Sequence, residues 1–224
     1  MVQPSGRPVA GRGGPACATG AGIVGMAGMA GISLGLRLAQ LQIENKINVT
    51  LTDGHSDGVK NNLINQYLTE AYSKTLSQHH PYISLSVSSQ VLLWTTDTET
   101  TSTKGQDVVL VSDCTHFQNY HAALAITMLR SLRKGGVALF CQPDRGDSLE
   151  NFMKLLMTPF DLVSLKVIEH PILERENERA LEQHIGVYDR NLHFPKILVV
   201  TKLRDLNDQD RHDFVVHQQN RTQE

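Results

Sequence analysis

The chain is short of several things that would point to particular chemistries. Cysteine comes first, with three residues in 224 (Cys17, Cys114 and Cys141) and never a CxxC pair. That spacing argues against a disulfide framework or a zinc site, and it fits a reducing compartment. Surplus charge is also missing. Lys and Arg number 21 against 23 Asp and Glu, a net charge of −2, so composition offers no basic surface for nucleic-acid phosphates. The ten histidines are scattered without metal-ligand spacing, and no metal is expected.

Acids are absent from the beginning of the chain, where Glu44 is the only one up to Asn45. Residues 1–16, "MVQPSGRPVAGRGGPA", are rich in Gly, Pro and Arg, the composition of a disordered segment. Arginines without acids suit a transit peptide, but the serine-rich amphipathic pattern is lacking. Residues 17–36, "CATGAGIVGMAGMAGISLGL", carry no charge. They are long enough to span a bilayer, yet they hold six glycines and few large apolar side chains, which makes a poor span. A glycine turn followed by a small-residue helix lying close on a sheet is the other reading, and it needs no membrane. Both stay open at this point.

What remains is ordinary for one soluble globular domain, 40% hydrophobic and 20% charged. Apolar strand patterns alternate with helical ones. "NVTLTD" reads as a strand, followed by a helix over about 56–72; "ISLSVSSQVLLW" (83–94) alternates as a strand does. "DVVLVSDC" (107–114) is a continuous β-branched run, the mark of a strand buried on both faces of a parallel sheet. A helix is predicted over about 120–133 with a "KGG" stop, then a strand at 137–142 and a helix in "SLENFMKLLMTPF". "DLVSLKVIE" and "PKILVVTKL" (195–203) are two closing strands around an exposed helix in "LERENERALEQH". This alternation predicts an α/β domain over 17–204, a mostly parallel sheet with helices on both faces, and a polar, frayed tail over 205–224.

In such sheets ligands sit at the carboxyl ends of the strands. "TGAG" (19–22) follows the first position where a strand could lie, Asp53-Gly54 ends the second strand, Trp94 the third, and Asp113-Cys114 the fourth. Each residue has a plain structural reading. Asp-Gly is a common turn pair, a lone tryptophan usually packs in a core, and Asp113 can cap the next turn. Each also has a chemical reading, since an acid at the tip of the second strand can take the ribose hydroxyls of a nucleoside. Their shared edge makes the set worth following.

The motifs "LTDG", "VLLW", "SDCTHFQNYH", "PDRGDSLENF" and above all "YDRNLHFPKILVVTK" resemble the calmodulin-lysine members of a family of S-adenosylmethionine-dependent protein methyltransferases. The resemblance runs from about Thr19 to Lys202, and "NLHFP" is its most specific part. It implies a seven-stranded, Rossmann-like methyltransferase sheet, S-adenosylmethionine as cofactor, and a lysine of calmodulin as substrate. It further implies a monomer in the cytoplasm, with the nucleus as a second compartment. By resemblance, Asp53 with Gly54 would hold the ribose, and Gly20, Ala21 and Gly22 would pass close to the methionine portion. Trp94 would border the adenine, although Thr95 and Thr96 here intervene before the acid, Asp97, that the family places directly after this tryptophan. Asp113 would border the cofactor and orient the incoming amine, with Phe117 and Tyr120 lining a channel for the lysine stem. Cys114 packs rather than reacts. An acidic substrate would suit a basic rim, to which Arg130, Arg133, Lys134 and Arg145 are candidates.

Two other classes fit parts of the pattern. A nicotinamide-dependent oxidoreductase needs the third glycine of GxGxxG, which Gly25 supplies, but no Tyr-Lys or His-Asp set accompanies it. A catalytically impaired relative that keeps the fold as an interaction module is favoured by the lead-in "RGGPACAT", which has no Val, Ile or Leu to build a central strand and carries Ala18 and Thr19 where the family has an acid and a leucine. The same lead-in predicts an N-terminus that is truncated or mis-assigned, and weak cofactor binding.

Overall fold

Two β-branched residues, Ile23 and Val24, stand at the middle of the central strand. The structure is a computed structural model that describes residues 21–25, 28–40, 46–79, 84–97, 103–184 and 186–221. In chain order the strands are β1 (Ala21–Gly25), β2 (Lys46–Asp53), β3 (Ser84–Val91), β4 (Gln106–Ser112), β5 (Leu132–Gln142), β6 (Val163–Ile168) and β7 (Lys196–Lys202). The helices are α1 (Gly28–Gln40), α2 (Ser56–His79), α3 (His121–Ser131), α4 (Ser148–Leu156), α5 (Pro171–Gln183), α6 (Arg190–His193) and α7 (Asp208–Arg221).

All seven strands belong to one sheet in the order β3-β2-β1-β4-β5-β7-β6. From β3 to β5 every pairing is parallel, while β7 runs antiparallel to both β5 and β6. β4 explains its central place by composition: Val109, Leu110 and Val111 are all buried, so both of its faces are covered. On one face Ile47, Val49, Leu51, Val87 and Leu110 pack with Ile32 of α1. On the other, Val109, Val111, Ala138, Phe140, Leu198 and Val200 meet Leu124 and Leu129 of α3, Phe152 of α4 and Phe214 of α7. Each fully buried Val, Leu, Ile or Phe among them contributes about 1.5–3 kcal/mol. The small-residue helix does lie close on the sheet, because a Cβ added at Gly35 of α1 would come within 2.8 Å of Val49 Cγ2. No helix among the described residues is long and apolar enough to cross a membrane.

Four expectations are corrected. The lead-in "RGGPACAT" lies outside the described residues, and the central strand is Ala21–Gly25 instead, where Ile23 and Val24 supply the strand propensity the lead-in lacks. The helix after β2 runs on to His79. The "KGG" segment ends no helix at a turn: α3 stops at Ser131, and 133–136 form a bulge at the start of β5, opposite the register shift between Gln106 and Val108. Gly135 takes φ +77° there, a conformation that favours glycine. Finally, the expected frayed tail forms α7. Its start is fixed by a reciprocal cap, with Asn207 N donating to Asp210 Oδ2 and Asp210 N to Asn207 Oδ1, each at 2.9 Å. Arg204 grips the same Asp210 at 2.6 and 2.8 Å; these hydrogen bonds hold the carboxyl below its usual range.

Candidate functional site

β2 and β3 are in register to their ends, Asp53 opposite Val91. The next amide, Leu92 N, donates to Asp53 O at 2.9 Å, which carries the chain after β3 across the carboxyl edge of the sheet. Thr95 N then donates to Thr127 Oγ1 of α3 at 3.1 Å, and Trp94 packs against the α3 side of the core. At the end of β2 the plain reading of Asp53 is realised: Oδ1 accepts from His55 N at 2.8 Å, and His55 Nδ1 accepts from Asp57 N at 3.2 Å, opening α2. The chemical reading survives beside it, because the Asp53 side chain also lines a cleft.

The opposite wall follows β4. Asp113 takes φ +50°, outside the range most side chains adopt, and turns the chain sharply. Gln142, at the end of β5 and fully buried, holds the turn. Its Oε1 accepts from Cys114 N (2.8 Å), Thr115 N (3.2 Å) and Thr115 Oγ1 (3.3 Å), while Nε2 donates to Val111 O at 3.2 Å. His121, at the start of α3, donates from Nε2 to Thr115 O at 2.6 Å; since the partner is a carbonyl, that nitrogen carries the proton. Burial pushes the His121 pKa down, against the opposing effect of the Thr115 bond. Between these anchors a single 3₁₀ turn (Gln118–Tyr120) leaves Phe117 and Tyr120 exposed on the cleft. Sequence reading missed both Gln142 and His121. The available signal was a lone amide closing an apolar strand.

The cleft measures about 450 Å³. Thr52, Asp53, Gly54 and His55 come from β2 and its turn, Leu92, Leu93 and Trp94 from the segment after β3, and Cys114, Phe117 and Tyr120 from the segment after β4. Trp94 and Phe117 meet edge to face with centroids 6.2 Å apart. Among these described residues there is no Lys or Arg; they present one carboxylate, one imidazole, and aromatic and aliphatic walls. Cys114 is no nucleophile, since burial and the nearby Asp113 push its thiol up to about 12. Among the described residues no group of His, Cys, Asp or Glu is placed to hold a metal.

The structure therefore brings together Asp53, Gly54, Trp94, Phe117 and Tyr120. Asp113 stands beside them at the same edge with both oxygens engaged by Arg145, at 2.8 and 2.7 Å. The glycine loop is a correction. Gly20 lies outside the described residues, and Ala21 and Gly22 are in β1 rather than in a loop after it, level with Ile47 and Asn48. Ala21 is thus six residues of strand before the level of Asp53, about 20 Å at the usual rise. The carboxyl end of β1 is Gly25, opposite Leu51. Asp97 is not in the cleft; its carbonyl accepts from Arg130. The basic rim is also reduced. Arg130 ends α3, and Arg133 and Lys134 start β5 at the amino edge, where Arg133 pairs with Asp107 at 2.5 Å. Arg145 alone of the four reaches the site.

The "NLHFP" segment reaches it indirectly. Asp189 caps α6 through Asn191 N at 2.8 Å, Phe194 is buried with the Arg190 guanidinium 4.8 Å from its ring centroid, and Asn191 O accepts from Arg145 N at 2.9 Å. A second cleft of about 550 Å³ runs beside it.

A family profile described as lysine methyltransferase matches residues 18–158, more than half of the chain. A calmodulin-lysine N-methyltransferase from Arabidopsis thaliana is 44% identical over 71 residues, 31% of this chain and 23% of that protein's length. In structure, a protein from Agrobacterium tumefaciens described as an O-methyltransferase superposes with a TM-score of 0.51 at 13% identity, over 80% of this chain and 73% of that one. One from Klebsiella pneumoniae, described likewise, gives 0.50 at 8% identity, over 83% and 74%. At these identities the two likenesses establish the fold alone.

Proposed function

This chain belongs to the lysine methyltransferase family, and from that premise we propose that it methylates a lysine side chain of a protein, with the lysine of calmodulin as its substrate. S-adenosylmethionine is the methyl donor, and the cleft residues fit it. The cofactor has vicinal ribose hydroxyls, an adenine, a sulfonium cation and no phosphate. A single carboxylate, a tryptophan edge and a wall without Lys or Arg match those groups one by one. The observation that carries the reading is Asp53 facing Trp94, Phe117 and Tyr120 across one cleft whose described lining holds no Lys or Arg.

When bound, the cofactor supplies an activated methyl group for in-line displacement. What the chain's own residues do is align and desolvate. Asp53 fixes the ribose, Gly54 leaves room beside it, and Trp94 borders the adenine. Phe117 and Tyr120 flank the lysine stem and exclude water from the ammonium, whose free pKa is about 10.4. Desolvation and a neighbouring cation both favour the neutral amine that must attack. Asp113, its carboxylate fixed by Arg145, accepts a hydrogen bond from that amine and sets its direction; alignment of this kind can lower a barrier by about 7–11 kcal/mol. In this reading the carboxyl end of β1, at Gly25, borders the methionine side, and the protein acts as a monomer in the cytoplasm and nucleus.

Calmodulin as the partner rests on the resemblance of "YDRNLHFPKILVVTK" and on the Arabidopsis relative, which this chain matches over 31% of its own length. One observation favours a second reading, an interaction module without turnover: both Asp113 oxygens are already taken by Arg145. Two measurements decide. Calorimetry should give binding of S-adenosylmethionine and S-adenosylhomocysteine and none of NAD. Mass spectrometry of unmodified calmodulin after incubation should then show added methyl groups; methylation of other proteins but not calmodulin retires the substrate, and binding without any methylation favours the module.

A further inference from the structure

Resting on the cofactor reading above, the geometry points to Gly58 as a positioning residue, whose missing side chain is what allows the Asp53 carboxylate to lie at the cleft. Gly58 is in the first turn of α2, where helix formation alone favours alanine over glycine. A Cβ built on it would stand 2.2 Å from both Cγ and Oδ2 of Asp53 and 2.6 Å from Oδ1. Non-bonded carbon and oxygen cannot share that space. The group obliged to move is the end of a rotatable side chain, not backbone or core, and the His55 N cap lost with it is offset by the higher helix propensity of alanine. The site has no such offset, because the displaced group is the carboxylate that lines the cleft and takes His55 N at 2.8 Å. Gly54, adjacent to Asp53 in sequence, differs: a Cβ there meets nothing nearer than Leu92 O at 3.9 Å. The close approach belongs to Gly58, which separates two properties that usually fall together. Helix stability should be indifferent to or improved by a side chain there, while cofactor affinity should fall.

The test compares Gly58→Ala with wild type for S-adenosylhomocysteine affinity by calorimetry and for the melting temperature of the ligand-free protein. Affinity is expected to fall about tenfold or more, the loss of one charge-assisted hydrogen bond, with the melting temperature unchanged or higher. In an Asp53→Ala background the same substitution should cause no further loss of affinity. The inference is overturned if Gly58→Ala binds as wild type does, or if its effect is equally large without Asp53. It is also overturned if the ligand-free variant fails to fold, since the backbone would then have yielded before the carboxylate. Wild type that binds no S-adenosylhomocysteine overturns the cofactor reading itself, whereas intact wild-type binding with an unaffected Gly58→Ala variant overturns only the role of Gly58.

Discussion

Arg145 clasps Asp113 across the carboxyl edge of the sheet, Nε to Oδ1 at 2.8 Å and Nη2 to Oδ2 at 2.7 Å. Both residues have left-handed backbones, φ +44° and +50°, a conformation that neighbouring contacts must impose on non-glycine residues. Gln142 imposes it on one side and the Asn191 carbonyl on the other. Because the pair is about half exposed, Arg145→Ala should change stability by less than about 1 kcal/mol. Turnover should suffer far more. A carboxylate freed to rotate no longer aligns the amine, so kcat should fall at least about tenfold with unchanged S-adenosylhomocysteine affinity, and Arg145→Lys, which cannot form the fork, should recover only part of it. Equal kcat in all three proteins would remove Asp113 from the amine-orienting role.

Asp53→Ala should weaken S-adenosylhomocysteine binding by about 10- to 100-fold, since charge-assisted hydrogen bonds are worth about 1.5–3 kcal/mol each. The lost cap to His55 N should lower the melting point slightly. Calorimetry on the variant checks the first effect and a thermal melt the second.

Stability should also carry a histidine signature. The folded pKa of His121 is lowered from 6.5, chiefly by burial, so the folded state prefers the neutral ring and the unfolded chain takes the proton. The contribution is full above pH 6.5 and is lost as the pH falls below it, at no more than about 1.4 kcal/mol per pH unit. His121→Gln keeps a donor for the Thr115 carbonyl and should flatten that slope in denaturant titrations between pH 7 and pH 5.

Phe214→Ala tests the helix that replaced an expected tail. Phe214 is fully buried in the same cluster as Phe140 and Phe152, and an emptied site of this size costs about 3–5 kcal/mol. A frayed tail would leave the urea midpoint where it was.

The candidate site was more legible than its supports. Asp53, Trp94 and Asp113 were found because a β-branched run that stops at an acid or a lone aromatic marks a strand end, and in a parallel sheet those ends meet. Gln142 escaped because its role depends on Cys114, 28 residues away, and no local pattern announces such a pairing. The glycine loop was misplaced since "GAG" sits before the branched pair Ile23-Val24 instead of after it. The last helix was hidden by its composition. Buried Phe214, the Asp210 cap and Gln218, which accepts from Ala122 N and donates to Asn119 O, hold α7, too little apolar periodicity to read in a polar run.

β1 is the narrowest part of the sheet, five residues that pair with β2 along their whole length and with β4 at Ile23, Val24 and Gly25. It joins two portions of the chain that otherwise pair among themselves, β2 with β3 and β4 with β5, β7 and β6. Its partners lie far apart in sequence, so closing the joint carries the entropy cost of a long loop. Amide exchange should report this, with β1 opening at lower free energy than β4 or β5. Asp53 belongs to one side of the joint, and Phe117 and Tyr120 to the other. A ligand held between them binds only the closed sheet, and its affinity is therefore added to the stability of that one short strand.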